Sequence, residues 1–128
     1  MNTDTNATRF LCCSPILSVN NLLRSRDFYV KKLGFKVSFE WGNPPSYIGI
    51  ERDDVTLHLS DAKQSKHDSG KSNINIVTNE VDRYFSRCQQ HGVDIVIEPA
   101  DREYGMRDFG IKDIDGNILN FGCEVIQR

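Results

Sequence analysis

A single histidine, His58, stands in a stretch of strict alternation. Thr56, His58 and Ser60 fall on one face of a strand, and Val55, Leu57 and Leu59 fall on the other. The same period sets Asn73 and Asn75 against Ile74 and Ile76, and Asn120 against Leu119 and Phe121. Imidazoles exchange protons near neutral pH, so His58 is a candidate general base. Asparagine amides offer a donor and an acceptor each, which suits them to orient a bound molecule. With Ser14 and Ser18, these residues form a hydrogen-bonding face with few of the lysines and glutamates of a solvated strand. A partly dry pocket for a small molecule is expected there; a plain solvated sheet face is the competing reading.

Phe39, Trp41 and Tyr47 cluster around a neighbouring turn and can stack on a flat ligand or pack in the core. Arg107 carries a planar fork that fits a carboxylate or phosphate, or pairs with Asp108 or Glu103 on the surface. His67 lies in a polar stretch and reads as solvated, while His91 precedes Gly92 at a helix end, where a cation suits the helix dipole. Gly70-Lys71-Ser72 lacks the upstream glycine of a phosphate loop. Asp113-Ile114-Asp115-Gly116-Asn117 has its glycine misplaced for a calcium loop and reads as a hairpin turn. No Gly-x-Ser-x-Gly elbow is present, so serine hydrolase chemistry has no support.

The chain has 128 residues, enough for one domain with one core. A net charge of -2 and a pI near 5.9 supply no basic field for nucleic acid. Mean hydropathy is -0.47, and no apolar run approaches the roughly 18 residues of a membrane span. The polar first nine residues do not read as a secretory signal. Cys12, Cys13, Cys88 and Cys123 show no Cys-x-x-Cys spacing and read as reduced thiols filling core positions, which implies a cytoplasmic protein.

These side chains need a scaffold, and the sequence supplies one twice. Val19, Asn21 and Gly34 recur 58 residues later as Val77, Asn79 and Gly92. In the first unit a strand at 14–19 leads into an amphipathic helix that runs to Lys32, with Asn20 or Asn21 as its cap and Gly34 as its C-cap signal. Strands at 35–41, 47–51 and 55–60 follow. The second unit predicts a strand at 73–78, a helix at 81–91 and strands at 93–98, 106–112 and 118–125. The expected fold is α+β: two βαβββ modules, about 14–60 and 73–125, joined by a linker at 60–72, within one domain of residues 1–128. Their sheets are expected to form a cup with a shared concave surface for a small ligand.

Phe28-Tyr29 through Leu33-Gly34-Phe35, Tyr104-Gly105-Met106-Arg107-Asp108-Phe109, and Asp113 to Asn117 with Phe121 resemble the glyoxalase/bleomycin-resistance/dioxygenase superfamily, closest to its bleomycin-resistance branch. The resemblance spans about residues 14–125. It implies paired βαβββ modules, a homodimer, and a cup whose rim is closed by Tyr104, Met106, Arg107 and Phe109. Metal-dependent members place four histidine or glutamate ligands on the inner face of the cup. Those positions fall here on Ser14, His58, Asn73 and Asn120, of which only His58 is an ordinary ligand. The resemblance therefore implies a metal-free, cofactor-free protein that sequesters an antibiotic or another aromatic or heterocyclic compound. Its expected site comprises Phe39, Trp41, Tyr47, His58, Asn73, Asn75, Tyr104, Arg107, Phe109 and Asn120. The alternative is a glyoxalase-like lyase or isomerase using His58 as general base.

Overall fold

The computed structural model describes residues 7–126. After an extended segment, β1 (Ile16–Val19) leads to α1 (Leu22–Asp27), whose N-cap is Asn21; its side chain accepts from the Arg24 backbone N–H at 3.1 Å. The helix then widens into a π-helical turn, Phe28–Lys32, and stops at Gly34, which takes the positive φ of 83° that a Cβ would strain. Three strands follow, β2 (Lys36–Trp41), β3 (Tyr47–Arg52) and β4 (Val55–Asp61). The polar linker carries one helical turn, α2 (Ala62–Ser65). The second unit is β5 (Asn73–Val77), α3 (Val81–Gln90), β6 (Asp94–Asp101), β7 (Met106–Lys112) and β8 (Ile118–Glu124).

Each unit folds into its own four-stranded sheet, in the order β1-β4-β3-β2 and β5-β8-β7-β6. The first strand of each pairs in parallel with the last, and the other neighbours are antiparallel. The two mixed sheets are not closed into a barrel.

The repeat is not a single offset. The N-caps Asn21 and Glu80 are 59 residues apart, but the stop glycines Gly34 and Gly92 are 58 apart. The π-helical turn accounts for the difference, because it accommodates one extra residue in the first helix. Val19 and Asn21 are thus one place out of register with Val77 and Asn79. The second helix starts at the Glu80 cap rather than on an asparagine side chain, and that cap makes no side-chain hydrogen bond.

One apolar core joins both modules. Leu17, Ile48, Ile50, Leu57 and Leu59 from the first sheet and Phe109, Ile111, Leu119 and Phe121 from the second belong to a single cluster with Leu22, Tyr29 and Leu33. Polar ties lock the same junction. Tyr29 Oη donates to Asp113 Oδ2 at 2.6 Å, and Tyr84 Oη donates to the Leu33 carbonyl at 2.7 Å. Asp115, on the turn between β7 and β8, accepts from Asn20 N at 2.9 Å and from Ser25 Oγ at 2.5 Å. The modules therefore meet through their helices and core-facing sheet surfaces. The opposite face of each sheet points outward, where Phe39, Trp41, Val77 and Tyr104 are exposed.

Cys88 is in the core and Cys123 packs against it, as expected of small fillers. Cys12 and Cys13 instead lie exposed on the extended segment before β1, beside the exposed Phe10 and Leu11. Among the described residues no strand pairs with Phe10–Cys13, so these adjacent apolar residues have no core to enter.

Candidate functional site

Alternation along each strand decides which side chains reach the outward, concave faces. In the first sheet Leu57, Leu59, Ile48 and Ile50 are buried, which turns Thr56, His58, Ser60, Tyr47 and Gly49 to the other side. Tyr47 Oη lies 2.8 Å from His58 Nδ1. The Phe39 ring meets both, with centroids 5.3 Å from His58 at right angles and 6.1 Å from Tyr47 in a stacked arrangement. Gly49 makes that possible. A Cβ at this position would sit 2.1 Å from Phe39 Cε2, so only glycine lets the ring cross β3 to reach the imidazole. A bulge in β2 between Val37 and Phe39 sets the ring on the same face as His58. Burial pushes the Tyr47 phenol above its ordinary pKa. A cavity of about 490 Å³ opens beside this cluster, lined by Phe39, Trp41, Ser46, Tyr47, Ser60 and the linker residue Gln64.

The second sheet repeats the plan with different chemistry. Gly110 faces Asn120 across β7 and β8, as Gly49 faces His58 across β3 and β4. Ile97 follows a bulge in β6 and lies over Gly110, in the place of Phe39. Asn120 Nδ2 donates to Asn73 Oδ1 at 2.8 Å and to Asn75 Oδ1 at 3.0 Å, which ties the three amides into one floor. Asp108 lies on the same face. Its carboxylate accepts from Arg102 Nε at 2.8 Å and from Tyr104 Oη at 2.5 Å. Burial alone raises the Asp108 pKa, but the Tyr104 and Arg102 hydrogen bonds outweigh it and hold the group below its ordinary value. Asn75, Ile97, Tyr104, Met106, Asp108 and Asn120 line a cavity of about 660 Å³.

The chain thus gathers Phe39, Trp41, Tyr47 and His58 on one sheet, and Asn73, Asn75, Asn120 and Tyr104 on the other. Each cavity is lined from its own module and the segment adjoining it. Arg107 and Phe109 are on neither face. Phe109 is fully buried and stacks on Phe121 at 5.4 Å, and Arg107 shares its side of β7. Arg107 reaches α3 and pairs with Asp82 at 2.8 Å and Asp101 at 3.1 Å, so it clasps the helix to the sheet rather than the rim of a cup. The expectation that these two residues close the rim is corrected by strand parity. A buried Phe109 puts residues 107 and 111 inward with it, and hands the concave face to Met106, Asp108 and Gly110.

Asp108, Arg102 and the two glycines were missed in the sequence. Their signal is there: Ile48-Gly49-Ile50 and Phe109-Gly110-Ile111 are the same apolar–glycine–apolar pattern. His67 is exposed and takes part through its backbone: its carbonyl accepts from Ser18 Oγ at 2.8 Å and its N–H donates to Ser65 Oγ at 3.3 Å. His91 is exposed, with Nδ1 2.9 Å from the Arg87 carbonyl at the end of α3.

The residues at the inherited metal positions do not fit a divalent ion. Ser14 Oγ is engaged with Thr56 Oγ1 at 2.6 Å, the Asn120 amide turns its nitrogen to the other asparagines, and His58 Nδ1 is held by Tyr47. Three neutral oxygen or amide groups and one imidazole make a poor set for zinc, nickel or iron. Among the described residues, no three His, Cys, Asp or Glu side chains converge elsewhere either.

Paired βαβββ modules, each a four-stranded mixed sheet with the same strand order, define the fold class. The chain belongs to the glyoxalase/bleomycin resistance protein/dioxygenase superfamily, whose sequence profile matches residues 11–121. No curated protein matches it in sequence. Solved structures share the fold across nearly the whole chain. An antibiotic-binding protein from a Streptomyces species is 22% identical with a TM-score of 0.77, over 92% of this chain and 99% of its own. The bleomycin-binding protein of Streptomyces verticillus, solved with copper(II)-bleomycin, is 20% identical with a TM-score of 0.76, over 94% and 100%. A superfamily member from Sphaerobacter thermophilus is 20% identical with a TM-score of 0.77, over 90% and 98%. Among the described residues, no helix is long and apolar enough to cross a membrane.

Proposed function

We propose that this protein is a metal-free binder of a small, flat organic molecule, of the kind its antibiotic-binding structural relatives take up, and that it works in the cytoplasm as a homodimer. The observation that carries this reading is the chemistry of the two floors. An imidazole framed by aromatic rings and a triad of linked amides are recognition groups, and neither assembles a Lewis-acid site.

What supports the homodimer is where the modules join. Within the chain they use up their core faces, and both concave faces remain open with aromatic and aliphatic side chains exposed, Trp41 at 68% and Val77 at 76%. A second copy related by a twofold axis brings a first sheet against a second sheet twice over and closes two equivalent cups. Each cup then combines an aromatic wall with an amide floor, which suits a ligand with a flat ring and several polar groups.

Trp41 is the only tryptophan, so its fluorescence reports directly on the cup. Titration with a panel of flat antibiotics, and separately with the bulkier bleomycin, should change its emission, and Trp41→Ala should weaken binding by about 1–3 kcal/mol while the dimer stays folded. Light scattering should give twice the 14.6 kDa chain mass. A panel that leaves both Trp41 emission and melting temperature unmoved sinks the reading. Turnover of the methylglyoxal–glutathione adduct, abolished by His58→Ala, would establish the lyase or isomerase alternative instead.

A further inference from the structure

The contact between Tyr47 and His58 determines more than the shape of the wall. A 2.8 Å separation of Oη and Nδ1 accommodates two proton arrangements. Either the phenol donates and Nδ1 accepts, which leaves the imidazole proton on Nε2, or Nδ1–H donates and Nε2 is bare. Acid strength decides between them. A phenol is a stronger donor than the N–H of a neutral imidazole, and an imidazole lone pair is a stronger acceptor than a phenolic oxygen. Burial pushes the Tyr47 pKa up, so the phenol retains its proton through neutral pH. Among the described residues the phenol has no second partner, so its proton is best satisfied on Nδ1. The imidazole is further fixed by two rings standing nearly perpendicular to it, Phe39 and Tyr47, each with its centroid 5.3 Å away. Its remaining nitrogen, Nε2, makes no hydrogen bond to any described residue.

We propose that Tyr47 is a positioning residue that holds His58 as the Nε2–H tautomer, so that His58 donates a hydrogen bond to the bound molecule and selects flat ring systems bearing an acceptor, such as a ring carbonyl. The same arrangement disarms His58 as a general base, because the nitrogen that could take a proton is occupied by the phenol. The ligand-class half of this inference rests on the concave face being the binding site; the tautomer does not.

Long-range proton–nitrogen correlation spectra of histidine-labelled protein read the tautomer directly. His58 should show a pyridine-type Nδ1 and a pyrrole-type Nε2, and Tyr47→Phe should shift both toward the averaged values of a free imidazole. A proton on Nδ1 in the wild-type protein, or a His58 spectrum unmoved by Tyr47→Phe, overturns the assignment. The selectivity is tested with 9-fluorenone and fluorene, which share one tricyclic frame and differ by the carbonyl, followed by Trp41 fluorescence. Fluorenone should bind about tenfold more tightly, a preference worth about one hydrogen bond. That preference should fall to within about twofold in His58→Phe and shrink in Tyr47→Phe. Equal affinity for the two probes, or no binding of either, overturns the selectivity. Whether the cup binds anything at all is decided separately by the antibiotic titration, so the two failures are distinguishable.

Discussion

The Tyr29 hydroxyl donates to Asp113 across 84 residues of sequence, from the π-helical turn of one module to the turn between β7 and β8 of the other. Asp113 also accepts from the backbone N–H groups of Asp115 and Asn117 and from Asn117 Nδ2, so the buried carboxylate is enclosed by donors. This knot holds the two sheets back to back and leaves their concave faces free.

Removing the phenol oxygen tests the knot. Tyr29→Phe keeps the ring in the core but strips a donor from a buried carboxylate, and should cost about 1–3 kcal/mol in urea unfolding. Burial, reinforced by the Asp113 charge, raises the Tyr29 pKa well above 10. A tyrosine whose folded pKa is raised gives stability that is full below the unfolded value and is lost as pH rises above it. Wild-type stability should therefore fall above about pH 10, and the fall should be shallower in Tyr29→Phe. Parallel pH profiles would remove Tyr29 as the alkaline trigger.

Gly49 should matter more to the site than to the fold. In Gly49→Ala the new methyl takes the space of the Phe39 ring, which β2, as an edge strand, can release outward. Nuclear Overhauser contacts between Phe39 and His58 should disappear while the melting transition stays cooperative. A variant that retains those contacts would show that the ring does not need the glycine.

Metal binding should be weak. Elemental analysis of tag-free protein should find well below one equivalent of zinc, nickel, iron or manganese, and added metal should not raise the melting temperature. Stoichiometric metal that His58→Ala removes would contradict the reading of the floors as recognition surfaces.

Arg107 is expected to be dispensable for ligand binding. Its partners Asp82 and Asp101 are exposed, so Arg107→Ala should cost no more than about 1 kcal/mol. The Trp41 titration should be unchanged in this variant. Weakened binding in a folded variant would return Arg107 to the cup.

Local sequence was enough for the paired modules, the helix stop at Gly34 and the turn at Asp113–Asn117, because period-2 and helical patterning, glycine and Asp-Gly signals act over a few residues. The opposition of Thr56, His58 and Ser60 to Leu57 and Leu59 was legible for the same reason. The extra residue in the first helix was not, since a π-helical turn has no short-range signature and shows itself only when two caps and two stops are compared in space. Nor was the fate of Arg107 and Phe109, whose side of β7 is set by which face the core of both modules claims. The largest decision belonged to tertiary structure alone. Alternation makes two faces on each sheet, but only the packing of Tyr29, Tyr84 and the Asp113 turn determines that the modules join by their apolar faces. That choice buries the greasy surface, ties the polar turn groups to partners, and leaves His58 on one open cup wall and Asn120 on another.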